Sequence, residues 1–309
     1  MTVLRVGTRA STLARTQTQI LADRLTKTLG VVVNVVPVVS DGDRSTAPLT
    51  EIGGQGVFVG AVREALVAGD VDVVVHSLKD LPTSPDDRVR LAAVPARDDF
   101  RDALVARDDL PLAELPPGST VGTGSPRRTA QLNALGLGVV VVAIRGNVET
   151  RLAKVSSGEL DAIVLARAGL VRLGREAEIT ETIDPIQMLP APGQGALAVE
   201  VAACSHGLAD DIAGALDDSC SRAAVTAERA LLRTLQAGCL APVGALGDVA
   251  EGDEGPELWL RGVVVALDGS VAVRMSAIGS TADPAGVGDR LAKEMLAAGA
   301  DLILQERAS

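Results

Sequence analysis

Two polar segments and one cysteine contain the side chains best suited to chemistry in this sequence. The first segment, HSLKDLP (residues 76–82), follows the apolar run 71–75 and places Lys79 next to Asp80. Lys and Asp at the end of a buried strand form either a structural ion pair or an acid whose ionisation is tuned by the cation. Because nearby cations favour the ionised carboxylate, Asp80 is better suited to stabilising a positive charge than to donating a proton at rest.

The second segment is VGTGSPRR (residues 121–128), in which an apolar run ends in Gly-Thr-Gly and two arginines follow. Ser125 stands at an N-cap position, and Pro126 fits the first turn of a helix. Free N–H groups, the positive end of the helix dipole and the guanidinium groups of Arg127 and Arg128 would together suit a carboxylate or a phosphate. The alternative is a capped helix whose arginines are solvated.

Arginines with similar neighbours occur at other predicted element ends. They are Arg9 near Ser11, Arg145 before Gly146, Arg151 further along the following helix, and Arg172. One such arginine means little, whereas several at the ends of strands and helices indicate a ligand with several negative charges.

The three cysteines, Cys204, Cys220 and Cys239, show no C-x-x-C spacing. This odd number argues against a disulfide framework, and the spacing argues against a thiolate zinc site. Cys239 lies in AGCLAPVG (residues 237–244), on a predicted loop between a helix and a strand, where a thiolate could attack an electrophile. The alternative for each cysteine is burial as a small apolar side chain.

Histidine is equally scarce. His76 and His206 are the only two, which leaves little material for a histidine metal site or a Ser-His-Asp triad. We therefore expect no metal site, and we expect His76 to be packed or hydrogen-bonded. Acid–base chemistry at neutral pH then depends on a carboxylate, a lysine or a cysteine.

Charge and hydropathy exclude several classes of protein. The net charge is −11 and the sequence pI is about 4.8, so no overall positive field would attract nucleic acid or an anionic membrane. No apolar run approaches the roughly 20 residues that span a bilayer, and the N-terminus lacks the order of a signal peptide. We expect a cytoplasmic protein without membrane or nucleic-acid partners.

The order of apolar and polar segments predicts an α/β fold. Strands at 4–7, 31–39 and 71–75 alternate with helices at about 11–25 and 57–68, and the segment from residue 120 repeats the pattern of the N-terminus. The polar, glycine-rich segment 40–56 is expected to be a mobile loop. The apolar strand 196–201 is expected to return to the first lobe. Alternating strands from 243 to 278 and a helix from 284 then predict a small α+β unit.

Six motifs together identify a family resemblance. HSLKDLP, VGTGSPRR, IRGNVETRL, ARAGLVRLG, PGQGALAVE and AGCLAPVG occur in the order and rough spacing seen in porphobilinogen deaminases, and the resemblance covers essentially the whole chain. It implies two α/β lobes like those of type II periplasmic binding proteins and a small α+β third domain with an antiparallel sheet. The expected boundaries are 1–97 with 196–214, then 98–195, and then 215–309.

The resemblance implies a transferase that acts on porphobilinogen. Four porphobilinogen units would be joined head to tail, with loss of ammonia each time, before hydrolysis releases hydroxymethylbilane. Cys239 would hold a dipyrromethane cofactor through a thioether, and Asp80 would assist loss of ammonia, stabilise the resulting cation through the pyrrole N–H and handle the proton lost later. The resemblance also suggests a monomer and a possible handover of product to uroporphyrinogen III synthase.

The remaining site residues are implied by the same motifs. The positions that match cationic family residues binding acetate and propionate groups are Arg9, Lys79, Arg127, Arg128, Arg145, Arg151 and Arg172. The positions that match polar contacts are Ser11, Gln17, Ser77, Thr123, Ser125, Gly146 and Gln194.

Two departures from the family pattern bear on this site. Gln55 stands where the glycine-rich loop often has lysine, and Gly124-Ser125-Pro126 replaces a commoner Ser-Ser-Leu. Phe58 matches an aromatic residue near the family's active site or packs within its helix. Two other functions share some of these features: a two-lobed anion-binding protein without catalysis, and a phosphate-ester enzyme that uses the helix start at Ser125. Export from the cell would favour the anion-binding protein. The thiol loop argues against that function, because a binding protein does not need it.

Overall fold

The structure, a computed structural model, describes residues 3–39, 59–238, 240–252 and 255–305. The strands are β1 (Val3–Arg9), β2 (Val32–Val38), β3 (Val73–Ser77), β4 (Val89–Ala93), β5 (Asp102–Ala106), β6 (Thr120–Thr123), β7 (Val140–Ala143), β8 (Ala162–Ala166), β9 (Glu181–Thr182), β10 (Leu197–Ala202), β11 (Val243–Gly252), β12 (Gly255–Val265) and β13 (Ala272–Ser280). The helices are α1 (Thr12–Leu29), α2 (Gly60–Val67), α3 (Pro126–Ala134), α4 (Val148–Ser156), α5 (Arg167–Arg172), α6 (His206–Leu216), α7 (Ser219–Thr234), α8 (Pro284–Ala297) and α9 (Ala300–Gln305).

The chain separates into two compact units. Unit 1 comprises residues 1–98 and 196–222, and unit 2 comprises residues 99–195 and 223–309.

Unit 1 is built on a five-stranded sheet in the order β2-β1-β3-β10-β4. β1 runs parallel to β2 and β3, whereas β10 runs antiparallel to β3 and β4, which confirms that the strand near residue 196 returns to the first lobe. Leu25 and Ile212, from α1 and α6, are buried in the apolar core of this sheet. Ser11 is the N-cap of α1, and its hydroxyl accepts from the Ala14 N–H. Gly30 is the C-cap, in the left-handed conformation.

The first sheet of unit 2 repeats this topology. Its order is β7-β6-β8-β5-β9, in which β6 runs parallel to β7 and β8, and β5 runs antiparallel to β8. β6 lies between β7 and β8 as β1 lies between β2 and β3, and the antiparallel strand beside β8 is β5, as β10 is beside β3. The prediction of two related α/β lobes is confirmed.

A three-stranded antiparallel sheet, in the order β11-β12-β13, completes unit 2. Its core contains Leu258, Leu260 and Val264 from β12 and Leu291 and Met295 from α8. The opposite face of the sheet packs on the second lobe, where Val263 and Val265 contact Ala130 and Leu189. The fold class is therefore the predicted one, with two α/β lobes and a small antiparallel sheet.

Two features are absent from the residues that the structure describes. Among the described helices, none is long and apolar enough to cross a membrane. Within the same described ranges, no cluster of three His, Cys, Asp or Glu side chains is arranged to hold a metal ion.

Candidate functional site

The segment that contains Asp80 is a tight turn at the end of a buried strand. β3 extends through His76 and Ser77, two residues beyond the prediction, because these residues pair with Ala198 and Leu197 of β10. A 3₁₀ turn over residues 78–80 follows, closed by a hydrogen bond from the Leu81 N–H to the Leu78 carbonyl at 3.1 Å. The Asp80 side chain is therefore exposed at the rim of the sheet.

Several predicted side chains of unit 1 lie at this edge of the sheet. β1 and β3 are parallel neighbours, so the end of β1 at Arg9 and the end of β3 at Ser77 meet at the same edge. The Ser77 hydroxyl donates to the side-chain carbonyl of Gln17 at 3.2 Å, which joins β3 to α1. The edge thus brings together Arg9, Ser11, Gln17, Ser77, Lys79 and Asp80.

A buried charge network connects β3 to its neighbour β10 and to α2. Arg63 of α2 donates to both carboxylate oxygens of Glu200, from Nε at 2.9 Å and from Nη2 at 2.6 Å. His76 Nε2 lies 3.5 Å from the Glu200 Oε2 atom. Burial raises the pKa of Glu200, but the contacts with His76 and Arg63 outweigh burial and lower it to about 2. His76 is packed as expected, against a carboxylate that connects β3, β10 and α2.

In unit 2, α3 starts at the carboxyl end of β6. Ser125 caps the helix by accepting from the Arg128 N–H, and Pro126 occupies the first turn. The Ser125 N–H in turn donates to the Thr123 hydroxyl at 3.2 Å. The predicted helix start is confirmed, and its N–H groups and dipole provide a positive end.

Arg127 and Arg128 do not extend into solvent, since their side chains are only 3% and 6% exposed. Arg127 Nη2 lies 2.8 Å from Asp102 Oδ2, and Arg128 donates from Nε and Nη2 to Asp102 Oδ1 at 3.1 and 2.8 Å. Gln194 Nε2 donates to the same oxygen at 2.8 Å. Burial raises the pKa of Asp102, but the guanidinium charges outweigh it and hold the pKa well below its usual range.

A second group of cations lies beside this cluster. Burial, followed by the charges of Arg128 and Arg145, lowers the pKa of Arg151 to about 10. The Arg151 side chain donates from Nε to the Gly146 carbonyl at 2.8 Å. A Cβ on Gly124 would come within 2.7 Å of the Ile144 carbonyl oxygen and 3.7 Å of Arg151 Nη2, so glycine allows this close approach. Positive charges are therefore concentrated where β6, α3 and α4 meet.

The PGQG segment is anchored from two sides within unit 2. Arg172 Nη2 donates to the Gly195 carbonyl at 2.6 Å, and the Gly193 N–H donates to the buried carboxylate of Glu228 at 2.5 Å. The other Glu228 oxygen accepts from the Gly247 N–H of β11 at 2.8 Å. These contacts hold the loop that carries Gln194 against both the second lobe and the antiparallel sheet.

Three sequence predictions lie outside the described residues: the roles of Cys239 and Gln55, and the packing of Phe58. The residues that flank Cys239 fall between the end of α7 at Thr234 and the start of β11 at Val243, as predicted. The segment 40–56, which was expected to form a mobile loop, also lies outside the description. The other two cysteines, Cys204 and Cys220, are free and exposed.

Sequence reasoning did not identify Asp102, Glu200 or Arg63. Asp102 and Glu200 each lie within an apolar strand, in the sequences RDALVA and ALAVEVA. A carboxylate within an otherwise buried strand requires a cationic or hydrogen-bonding partner, so such positions could have indicated a charge network. The partners themselves are distant in sequence and could not be identified from it.

Comparison with known proteins identifies the family. A family model described as "Porphobilinogen deaminase, dipyromethane cofactor binding domain" matches residues 4–210, and one for the porphobilinogen deaminase C-terminal domain matches residues 222–297. The porphobilinogen deaminase of Nocardia farcinica is 53% identical over 313 residues, which cover 100% of this chain and 90% of that protein. Those of Mycolicibacterium paratuberculosis and Mycobacterium tuberculosis are each 55% identical over 303 residues, covering 96% of this chain and 95% and 97% of the relatives.

Among solved structures, the second substrate binding domain of a putative amino acid ABC transporter from Streptococcus pneumoniae is 13% identical, with a TM-score of 0.44. The match covers 70% of this chain and 91% of that one. The two family models and the near-full-length identity to curated relatives decide the assignment. The chain belongs to the porphobilinogen deaminase family.

Proposed function

We propose that this chain is a hydroxymethylbilane synthase, a transferase that joins four porphobilinogen molecules head to tail on a covalently bound dipyrromethane. Each addition releases ammonia, and hydrolysis then releases the linear tetrapyrrole. The near-full-length identity to porphobilinogen deaminases carries this proposal. The concentration of arginines in unit 2 supports it, because each porphobilinogen brings an acetate and a propionate group.

The charges of unit 2 fit an anionic pyrrole cofactor. Burial, followed by the charges of Arg128 and Arg145, lowers the pKa of Arg151. Carboxylates placed beside these groups would stabilise the charge of Arg151 and relieve the repulsion among the three arginines. Arg127, Arg128, Arg145 and Arg151, with the polar groups of Thr123, Ser125, Gly146 and Gln194, would hold the cofactor carboxylates. When bound, dipyrromethane supplies the pyrrole carbon to which the first substrate is joined.

Cys239 would attach the cofactor. A thiolate that adds to a methylene electrophile forms a thioether, and this requires a cysteine whose sulfur is accessible and ionised. In the sequence, Cys239 falls between α7 and β11, and segments that connect rigid elements commonly carry function.

Asp80 would act on the substrate. Its exposed carboxylate, at the end of β3, would accept a hydrogen bond from the pyrrole N–H and stabilise the positive charge that develops as ammonia leaves. It would then accept the proton lost from the pyrrole carbon after the carbon–carbon bond forms. Arg9 and Lys79 would bind substrate carboxylates within unit 1. Arg172 would be a further cation for pyrrole carboxylates within unit 2. Ser11, Gln17 and Ser77 would make polar contacts.

Organisation and cellular context belong to the same proposal. We propose a division into three domains, 1–97 with 196–214, 98–195 and 215–309, in which the cofactor cysteine would belong to a small domain of its own. We further propose a cytoplasmic monomer that passes hydroxymethylbilane to uroporphyrinogen III synthase. The negative net charge of −11 supports small-molecule rather than nucleic-acid partners.

The Asp80→Asn substitution tests the chemistry. It keeps the shape of the side chain but removes the negative charge, so ammonia release from porphobilinogen should fall by at least about a hundredfold. Asp87→Asn is the matched control, because Asp87 is also an exposed aspartate of unit 1 and should leave turnover unchanged.

The two possible failures differ in this assay. Wild-type turnover by Asp80→Asn would contradict the role of the carboxylate while leaving the enzyme assignment in place. A wild-type protein that binds porphobilinogen without releasing ammonia would contradict the enzyme assignment and favour a non-catalytic anion-binding protein.

A further inference from the structure

We propose that Asp102 is a positioning residue of the anion site, which fixes the guanidinium groups of Arg127 and Arg128 together with the Gln194 amide. The proposal rests on the proposed function, because it assumes that this cluster binds the carboxylates of pyrroles. Asp102 would act through its neighbours, without contact with the ligand.

The position of Asp102 supports this role. It is the first residue of β5 and is 0% exposed. Its carboxylate contacts donors from two further segments: Arg127 and Arg128 from the first turn of α3, and Gln194 from the loop before β10. One carboxylate thus connects a strand, a helix start and a loop.

Each of these three donors also makes a hydrogen bond to a backbone carbonyl, which fixes the orientation of its side chain. Arg128 Nη1 donates to the Val164 carbonyl of β8 at 3.0 Å, so its guanidinium group is held on two sides. Arg127 Nη1 donates to the Leu189 carbonyl at 2.6 Å, and Gln194 Nε2 donates to the Phe100 carbonyl at 2.8 Å. Removal of the Asp102 charge would leave both guanidinium groups buried without the carboxylate that holds them.

Asp102 also sets the charge of the cluster. Its single negative charge is shared by two guanidinium groups, and Arg151 lies close enough to Arg128 for their charges to repel. The cluster therefore keeps a net positive charge beside the start of α3. The Asp102 carboxylate offsets enough of the charge of the two buried arginines for the protein to fold around them. An additional negative charge from a ligand would be attracted to that excess.

Two variants and one control test the proposal. Asp102→Asn removes the charge, and Asp102→Glu keeps the charge but displaces it by one methylene group. Asp161→Asn is the matched control, because Asp161 also pairs with an arginine of unit 2, Arg107 at 2.6 Å. That pair lies at the start of β6, whereas the anion site lies at its end.

The first readout does not depend on activity. Proton–nitrogen NMR spectra should show the Arg128 Nε–H protected from exchange in the wild type and in Asp161→Asn. This protection should be lost in Asp102→Asn. Intact mass should show that the fraction of protein carrying the cofactor falls in both Asp102 variants and stays at the wild-type value in the control.

The second readout separates positioning from general destabilisation. In the molecules that carry the cofactor, KM for porphobilinogen should rise by about ten- to a hundredfold, because a misplacement of about 1 Å can cost about a hundredfold. Asp102→Glu should show an intermediate rise, and it serves alone if Asp102→Asn does not fold. Unchanged Arg128 protection, cofactor loading and KM in a folded Asp102 variant would overturn the proposal. An inactive wild type would instead contradict the proposed function.

Discussion

At the level of single residues, the proposed anion site of unit 2 has a cost to stability at Arg151. Burial removes water from the charge of Arg151, and the charges of Arg128 and Arg145 repel it. Both effects lower the pKa of Arg151 and disfavour its charged form in the protein without ligand. Under the proposed function, a carboxylate ligand would reverse this balance. The same reasoning distinguishes Arg151 from Arg107, whose charge is paired with Asp161 at 2.6 Å.

This difference predicts opposite effects on stability. Arg151→Gln should raise the free energy of unfolding of the cofactor-free protein by about 1 kcal/mol, after loss of its hydrogen bond to the Gly146 carbonyl is subtracted. Arg107→Gln should lower it by about 1 kcal/mol or less, since the pair is half exposed. Urea unfolding of both variants measures the effect, and cofactor loading should fall only in Arg151→Gln. Destabilisation by Arg151→Gln would contradict the repulsion.

The sequence predicted which residue types concentrate here but not how they pair. VGTGSPRR indicated a capped helix with an anion site, and the cap at Ser125 is present. Of the two alternatives for Arg127 and Arg128, solvation does not fit, because both are buried around Asp102. Ligand contact stays a prediction. Their partner precedes them by 25 and 26 residues, on another strand, and such distant pairing has no local sequence pattern.

At the level of elements, strands β3 and β10 hold the turn that carries Asp80. The pairing of Leu197 with Ser77 and of Ala198 with His76 extends β3 to the start of that turn. Glu200, which lies within β10, contacts Arg63 of α2 and His76 of β3. The buried strand predicted at 71–75 is present as β3, but it covers Val73–Ser77, because its extent depends on pairing with a strand more than a hundred residues away.

The charge network behind these strands predicts a pH-dependent contribution to stability. Because the pKa of Glu200 is lowered from 4.5 to about 2, its contribution is fully present above about pH 4.5 and is lost as the pH falls towards 2. Glu200→Gln should therefore cost about 3 kcal/mol in unfolding free energy at pH 7. The difference from the wild type should shrink between pH 4.5 and pH 3.

Glu64→Gln is the matched control in unit 1. Glu64 lies one residue after Arg63 on α2 and pairs with Arg88 at 2.9 Å, but its side chain is 63% exposed. Its loss should cost no more than about 0.5 kcal/mol. Urea unfolding curves at pH 7, 4 and 3 provide the comparison. Equal costs for the two glutamates, or a Glu200→Gln cost independent of pH, would argue against the network.

At the level of the whole molecule, the doubled topology was visible in the sequence. The likeness of residues 120–128 to residues 5–11 predicted two related lobes, and the sheets β2-β1-β3-β10-β4 and β7-β6-β8-β5-β9 share one order. The grouping of elements was less visible, since the antiparallel sheet packs on the second lobe through Val263, Leu246 and Leu189. Apolar positions that face such an interface look the same in sequence as positions in a lobe's own core.

The central claim is that this chain builds a tetrapyrrole on a primer attached to Cys239. The intact mass of purified protein tests it most directly. The wild type should exceed its sequence mass by two porphobilinogen units less two molecules of ammonia, as should Cys204→Ser and Cys220→Ser, whose cysteines are free and exposed. Cys239→Ser should lack the added mass and all turnover. A wild-type protein that is active at its unmodified mass, or an adduct that persists in Cys239→Ser, would contradict the account.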